Sequence, residues 1–218
     1  MIELKVRLTF IESLLGTSPA NDDIYKEFVL SKAPDAASAE EEIAALGADA
    51  VIEKGMTIFP RTEDGRPFLY DYLIKGFFKD SCGGLRKVKT TKSAKIKAFK
   101  KEIDKLIFPE PRQIPINFEG QIVELQRPLR GQTPQGERVG LAISEEIPAG
   151  ATVEFTIVCL CDDHEDVVRE WLDYGKYSGL GQWRNSGHGR FLWDELDDDG
   201  NVIGGNNQFS KTAKTKGA

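Results

Sequence analysis

The chain has 218 residues, of which 40% are hydrophobic and 9% aromatic, and this composition suits one soluble domain with insertions. No run approaches the roughly twenty apolar residues that a membrane helix needs, and the first residues do not resemble a signal peptide. The sequence therefore predicts a cytoplasmic protein without a membrane partner.

The charge of the chain is unevenly distributed. The formal net charge is −6, yet residues 75–105 contain eleven Lys or Arg against three Asp or Glu, which gives this window a charge of +8. A local basic patch is typical of a polyanion-binding surface, because binding depends on the patch more than on the total charge. A solvated lysine-rich helix is the alternative interpretation.

The first half of the chain begins with its clearest element. Residues 2–10 alternate between apolar and polar side chains, which predicts a half-buried strand. A capping-box spacing followed by alanine-rich sequence predicts a helix within residues 17–50, which we interpret as a helical insertion. Residues 56–60 and 67–70 flank a glycine-containing turn and predict a hairpin.

The second half of the chain predicts the remaining core. Apolar periods predict helices that begin near Asp71 and Ile96. Residues 126–138 contain three cations, two prolines and two glycines without an apolar period, which predicts an exposed, protruding loop or hairpin tip. A strand ending at Cys161, a helix, a glycine-rich loop and a last strand follow. Residues 206–218 are polar and basic, and we expect a disordered tail.

The order of elements predicts the fold class. We expect one α+β domain over residues 1–205, because the order without insertions is compatible with a ferredoxin-like β-α-β-β-α-β core. This is the plan of RNA-recognition (RRM-like) domains. The helical insertion and a protruding hairpin would be additions to that core.

The cysteines do not predict a metal site. Three cysteines fit no disulfide framework, and Cys159 and Cys161 alternate along a predicted strand, which favours buried packing. Together with Asp162, Asp163 and His164 they match no standard zinc spacing. We therefore expect neither a metal nor a cofactor.

A glycine-rich stretch near the end of the core carries the strongest functional signal. It reads Gly179-Leu-Gly-Gln-Trp-Arg-Asn-Ser-Gly-His-Gly-Arg-Phe191. Glycine lets another backbone, such as a phosphodiester, approach closely. Arg184 and Arg190 provide charge, while Trp183 and His188 provide flat faces, a combination that favours nucleic acid. The order of elements and the residues after the last glycine fit neither a P-loop nor a dinucleotide fingerprint. A plain glycine-rich turn is the alternative.

Four segments resemble, in order, parts of the repeat-associated mysterious protein (RAMP) superfamily of CRISPR systems, and the likeness is strongest to the backbone subunits of type III effector complexes. They are Phe10-Ile-Glu-Ser-Leu-Leu-Gly16, Gly65-Arg-Pro-Phe-Leu-Tyr-Asp-Tyr-Leu-Ile-Lys-Gly76, Glu137-Arg-Val-Gly-Leu-Ala-Ile-Ser-Glu-Glu-Ile-Pro-Ala-Gly150 and the glycine-rich stretch. The sequence departs from the superfamily at Tyr70-Asp-Tyr72, where Pro-Gly-Ser is usual, and at residues 17–50, which match no part of it. The chain also looks like small proteins carried by prophages, so the fold can transfer without the role.

The resemblance implies a ferredoxin-like RNA binder. Basic residues at and after the first main helix would grip phosphates, the glycine loop would let the strand approach, and arginines of the protruding hairpin would extend over it. The predicted RNA-binding residues are Lys75, Lys79, Arg86, Lys87, Lys89, Arg127, Arg130, Arg138, Gly179, Gly181, Trp183, Arg184, Gly187, Gly189 and Arg190.

Catalysis is the weaker expectation. His188 could act as a base for metal-independent RNA cleavage with Arg184 or Tyr177, although a hydrogen-bonded loop histidine explains it as well. The resemblance implies an early-loop Asp for metal-assisted cleavage, a place that Asp22 or Asp23 could occupy, although helix capping also explains them.

We therefore expect an RNA-binding protein rather than an enzyme, acting as a repeating subunit on a guide or other single-stranded RNA and forming homo-oligomers along it. Two alternatives remain open. One is an endoribonuclease that uses His188. The other is a phage interaction protein whose partner is a CRISPR defence complex, another phage protein or a nucleotide signal.

Overall fold

The computed structural model describes residues 1–20, 56–133 and 136–207, with side chains described except at 128–141. The predicted insertion at 17–50 and the predicted tail at 206–218 lie mostly outside the described residues, and Asp22 and Asp23 lie outside them entirely. No helix in the described ranges is long and apolar enough to cross a membrane.

The described residues form an α+β structure of mainly antiparallel strands with few helices. Short 3-10 helices lie at residues 92–95, 162–164 and 184–186. In chain order the strands and α-helices are β1 (Ile2–Phe10), β2 (Leu14–Leu15), β3 (Ser18–Pro19), β4 (Met56–Ile58), β5 (Phe68–Tyr70), α1 (Asp71–Leu85), α2 (Phe99–Leu106), β6 (Ile107–Glu110), β7 (Gln113–Asn117), β8 (Val123–Thr133), β9 (Gly136–Ile147), β10 (Thr152–Cys159), α3 (Glu165–Tyr174), β11 (Phe191–Leu196) and β12 (Val202–Gly205).

The chain divides into two compact units. Unit 1 consists of Met1–Leu14, Arg61–Gln121 and Ile147–Ala218, and it contains β1, α1, α2, α3 and the glycine-rich stretch. Unit 2 consists of Leu15–Pro60 and Ile122–Glu146, and it contains β3, β4, β8 and most of β9.

The sheet of unit 1 is organised around β1. Its order is β12-β11-β1-β10-β7-β5, and β6 also pairs with β10. β1 pairs antiparallel with both β10 and β11, with Ile2 opposite Cys159 and Phe10 opposite Phe191. With α1 before β6 and α3 between β10 and β11, this order is compatible with the predicted ferredoxin-like core.

The alternation of β1 places one row of side chains in the core. Leu4, Val6, Leu8 and Phe10 are buried, which confirms the predicted half-buried strand. The helices supply large partners for this core. Phe77 of α1 packs near Phe191, and Phe78 lies near Trp171 of α3; burial of each such ring is worth about 1.5–3 kcal/mol.

Helix α1 begins where its sequence favours a start. Asp71 lies in the first turn, where a carboxylate interacts favourably with the helix dipole, and it accepts a 3.2 Å hydrogen bond from Arg112. The predicted helix that begins near Ile96 is shorter than expected, because α2 begins only at Phe99; a 3-10 helix at residues 92–95 precedes it. The predicted helix before the glycine loop is confirmed as α3.

One local expectation was wrong, and another is decided between its two alternatives. The segments at 56–60 and 67–70 do not form a hairpin with each other: β4 pairs with β3 and β9, whereas β5 pairs with β7. The stretch at 126–138 is not an irregular loop in the described residues, because β8 and β9 form an antiparallel ladder from Val123↔Glu146 to Thr133↔Gly136. The alternative of a hairpin is therefore correct for this stretch.

Candidate nucleic-acid interface

The glycine loop, residues 179–191, connects α3 to β11 in unit 1. Its backbone is left-handed at Trp183, where φ is 50°, and at Gly181, Gly187 and Gly189. Trp183 is the one non-glycine residue with positive φ among the described residues. Such a conformation is unusual for a bulky side chain, so the surrounding loop must hold it in place.

Two of these glycines are required by the loop's own backbone. A Cβ at Gly189 would overlap the carbonyl oxygen of Leu180, and a Cβ at Gly179 would overlap the backbone of His188 and Gly189. The two ends of the loop are also joined, because the amide of Leu180 donates to the carbonyl of Gly189 at 2.9 Å. What approaches Gly179 and Gly189 in this structure is therefore the loop itself.

His188 and its neighbour Gly189 contact Ser13, which follows β1. The Nδ1 of His188 lies 3.0 Å from the hydroxyl of Ser13, and the amide of Gly189 donates to the carbonyl of Ser13 at 2.8 Å. Its ring meets that of Trp183 edge to face, with centroids 6.1 Å apart. These contacts give both aromatic residues a structural role in holding the loop.

The two arginines of the loop bind carboxylates of the same unit. Arg184 forms an ion pair with Asp80 of α1. Arg190 donates from Nη2 to Glu12 at 2.9 Å and from Nε to the carbonyl of Gly187 at 3.2 Å. Each guanidinium has donors beyond those used in these contacts, so it can accept a further anionic partner.

The predicted cations in and directly after α1 divide into two groups. Lys75 donates to the carbonyl of Asp104 at 3.3 Å and lies 4.3 Å from the ring centroid of Phe108, while Lys79 pairs with the carboxylate of Asp104. Beyond the end of the helix, Arg86 lies over the ring of Phe99 at 5.2 Å and is exposed. Lys87 and Lys89 are exposed as well.

A cleft of 530 Å³ lies between α1, α2 and the glycine loop, and we call it the α1–loop cleft. It brings together three of the predicted residues, Lys79, Gly181 and Arg184. The other predicted residues of unit 1, including Lys75, Arg190 and the cations after α1, do not line it.

Two further residues of this cleft are absent from the named set of RNA-binding residues, although Lys100 is one of the basic residues after the first main helix that were expected to grip phosphates. Lys100 of α2 is exposed and adds a third cation. Tyr72 is 50% exposed, and its ring stacks on that of Tyr70, with centroids 5.2 Å apart and an angle of 18° between the planes. Arg112 lies over Tyr70 at 5.7 Å. The signals were present in the sequence, as a lysine of the basic window and as the departure Tyr70-Asp-Tyr72.

The arginines of the predicted hairpin belong to unit 2. Arg127 of β8 is exposed. Arg130 and Arg138 lie opposite Val139 and Gly131 in the β8–β9 ladder, and their side chains are outside the described residues.

These features define a class of protein. It is an α+β protein with an antiparallel sheet in unit 1, and that unit contains a cleft lined by three cations and by an exposed tyrosine that stacks on a second tyrosine. No protein-family model matches the chain, and no curated protein matches it. Among solved structures, the chain is similar to a chain in a cryo-EM structure described as the type III-B Cmr-beta bound to cognate target RNA. The two share 13% sequence identity at a TM-score of 0.49, over 87% of this chain and 57% of that chain. This chain therefore spans less than two thirds of the length of that chain.

Proposed function

We propose that the chain binds single-stranded RNA in the α1–loop cleft. The observation that carries this proposal is the convergence of Lys79, Lys100 and Arg184 on one cleft that also contains the half-exposed ring of Tyr72. Proteins that bind single strands combine a positive groove for the backbone with aromatic rings on which bases stack.

The charges of the cleft suit a phosphodiester. Lys100 has no ion-pair partner among the described residues, whereas Lys79 and Arg184 each hold one carboxylate. Asp80 is the acidic residue of the cleft lining, so the lining carries three cations against one anion. A phosphate in the cleft would interact with the spare donors of Arg184 and with the exposed ammonium of Lys100.

The ring of Tyr72 is held in advance of binding. Its inner face is stacked on Tyr70, whose ring lies edge-on against Phe68 at 4.8 Å. A base that stacks on Tyr72 would therefore meet a ring whose rotation is already restricted, which lowers the entropic cost of binding. Stacking of this kind tolerates every base, so we expect weak sequence preference.

The preference for RNA over DNA rests on the sequence resemblance to the RAMP superfamily. The repeating arrangement of copies on a guide RNA rests on the same resemblance. We include them in the proposal on that ground. Light scattering of the protein with and without RNA measures whether mass grows with the length of the RNA, as an array of copies along it requires.

The test of the proposal is fluorescence anisotropy with a short labelled oligouridylate over a range of salt concentrations. For single strands the slope of log K against log salt changes by about 0.7 for each phosphate contact, so replacing all three cations by Met should reduce it by about 2. Lys105→Met is the matched control, because Lys105 is exposed on the same helix as Lys100 and does not line the cleft. An unchanged slope in the triple variant would refute binding in this cleft.

Two further variants separate stacking from charge. Tyr72→Ala should weaken binding by about 1–3 kcal/mol, roughly 5- to 150-fold, whereas Tyr72→Phe should retain most of the affinity. Gel analysis of the same mixtures tests the nuclease alternative, which requires RNA fragments whose formation is lost in His188→Ala. Absence of RNA affinity at low salt would instead favour the interaction-protein alternative.

A further inference from the structure

A second cavity of unit 1, which we call the His164 pocket, has no part in the proposed RNA interface. Its volume is 610 Å³, and it lies between the 3-10 helix at residues 92–95, α2 and the start of α3. Sites for small molecules in proteins typically have volumes of about 300–1,000 Å³. No residue lines both this pocket and the α1–loop cleft.

The histidine of the pocket is buried with one nitrogen unsatisfied. His164 is 6% exposed, and its Nε2 lies 3.3 Å from Oε2 of Glu102. Because a carboxylate can only accept, this contact places a proton on Nε2. Nδ1 is buried and has no hydrogen-bond partner in the described part of the chain. Buried polar atoms in native proteins are nearly always paired, so Nδ1 is an exception, and it lies behind the surface of the pocket rather than on it.

The charged residues of the pocket are not all used internally. Lys92 pairs with Asp166 at 2.8 Å. Lys95, which is exposed, forms no ion pair among the described residues, and neither does Asp163. The pocket therefore offers a ligand one ammonium and one carboxylate that no ion pair within the described residues neutralises.

The remaining wall is apolar. Ile96 precedes α2, Leu106 ends α2 and Val167 belongs to α3, and all three line the same space. A ligand that fits must present a flat or apolar body to this wall, N–H donors to the carboxylates and an anionic group to the lysines. No group of three metal-binding side chains occurs in the described residues, so the arrangement does not favour a cation alone.

We propose that the His164 pocket binds a nucleoside 5′-monophosphate, either free or as the terminal nucleotide of an RNA. The base lies against Ile96, Leu106 and Val167, where its N–H groups donate to Glu102 or Asp163. The phosphate binds Lys95, with Lys92 beside it. One such ligand provides partners for both the carboxylates and the lysines of the pocket, which a simple anion or a purely apolar molecule does not.

Cys161 provides a probe of occupancy, because this residue lines the pocket and is partly exposed, whereas Cys82 and Cys159 are buried. The rate of its alkylation by iodoacetamide is measured by peptide mass spectrometry with each of the four ribonucleoside 5′-monophosphates. At a concentration ten times Kd, a bound nucleotide should slow alkylation of Cys161 about tenfold. The slow labelling of Cys82 and Cys159 shows that the protein stays folded.

Lys95→Met should raise the Kd of the nucleotide about tenfold, since it removes a hydrogen bond to a charged group, and should leave the Kd of the nucleoside without phosphate unchanged. Lys97→Met is the matched control, because Lys97 is exposed and does not line the pocket. Calorimetric titration of the same nucleotides gives Kd independently of the cysteine.

Two outcomes would overturn the proposal. In the first, none of the four nucleotides protects Cys161 or produces a calorimetric signal. In the second, Lys95→Met binds them as well as the unmodified chain does. A 5′-phosphorylated dinucleotide that protects at lower concentration than a free nucleotide identifies an RNA end as the source; protection that is equal or weaker identifies the free nucleotide. The proposal does not depend on RNA binding in the α1–loop cleft, because the variants of the two sites are separate.

Discussion

The glycine loop allows a quantitative test at Gly189. This residue has φ of 70°, and a Cβ at its position would overlap the carbonyl oxygen of Leu180. The obstacle is backbone rather than a side chain that could rotate away, so Gly189→Ala must displace one end of the loop. Gly187 provides the comparison, since its φ is 91° but a Cβ there would lie 3.4 Å from Nη2 of Arg190, a group at the end of a flexible side chain.

The expected cost can be estimated from these contacts. A left-handed conformation costs a non-glycine residue about 1–2 kcal/mol, and both variants incur it. In Gly189→Ala the shift also strains two backbone hydrogen bonds, from Leu180 to Gly189 and from Gly189 to Ser13, each worth about 1 kcal/mol. We therefore expect Gly189→Ala to lower the free energy of unfolding by about 3–4 kcal/mol and Gly187→Ala by about 1–2 kcal/mol.

Urea unfolding followed by tryptophan fluorescence measures the difference. The three tryptophans, Trp171, Trp183 and Trp193, all belong to unit 1, so the signal reports on the unit that contains the loop. The slope of the unfolding free energy against urea concentration should be the same in both variants. An equal slope means that the shift in midpoint reports a change in stability, not a change in the compactness of the unfolded state. If Gly189→Ala is no less stable than Gly187→Ala, the loop is not held by its own backbone in the way described above.

Two other predictions concern charges. Asp80→Asn removes the carboxylate that holds Arg184, so RNA affinity measured by anisotropy should rise about two- to fivefold; a fall would show that Asp80 positions Arg184 for binding. Burial raises the pKa of the Cys159 thiol from 9.0 to about 11, so the stabilisation from keeping it protonated is complete below pH 9 and is lost as the pH rises through 11. Over that interval the urea midpoint should fall more steeply in the unmodified chain than in Cys159→Ala, and equal slopes would contradict this role of burial.

The elements with strong periodicity could be predicted from the sequence. β1 alternates because one face of the strand lies on the core, and α1 and α3 show an apolar stripe for the same reason. For residues 126–138 the sequence left a loop and a hairpin open, because this stretch has no apolar period and the backbone hydrogen bonds that pair β8 with β9 do not depend on one. The turn near Gly65 was detected, but a turn does not determine which sheet its flanking segments join.

Part of the candidate site could be predicted from the sequence, and the rest depends on contacts that form only in the folded chain. Arg184 and Lys79 stood out by charge and by position near glycine or in the basic window. The sequence does not show that Asp80 and Asp104 neutralise part of that charge, since pairs such as Arg184–Asp80 form only in the folded chain. Tyr72 was missed because a lone exposed aromatic is identified by its surroundings, here the ring of Tyr70 beneath it.

The position of β1 affects how the chain is made. Residues 2–10 leave the ribosome before the rest of unit 1, and their two neighbours, β10 and β11, are synthesised only after residue 150. During most of translation the central strand has both edges open and an apolar face uncovered, which is the condition under which nascent chains aggregate or recruit chaperones. Formation of unit 1 is therefore coupled to completion of its last strands, and we expect it to be slow, since its pairings join distant parts of the chain.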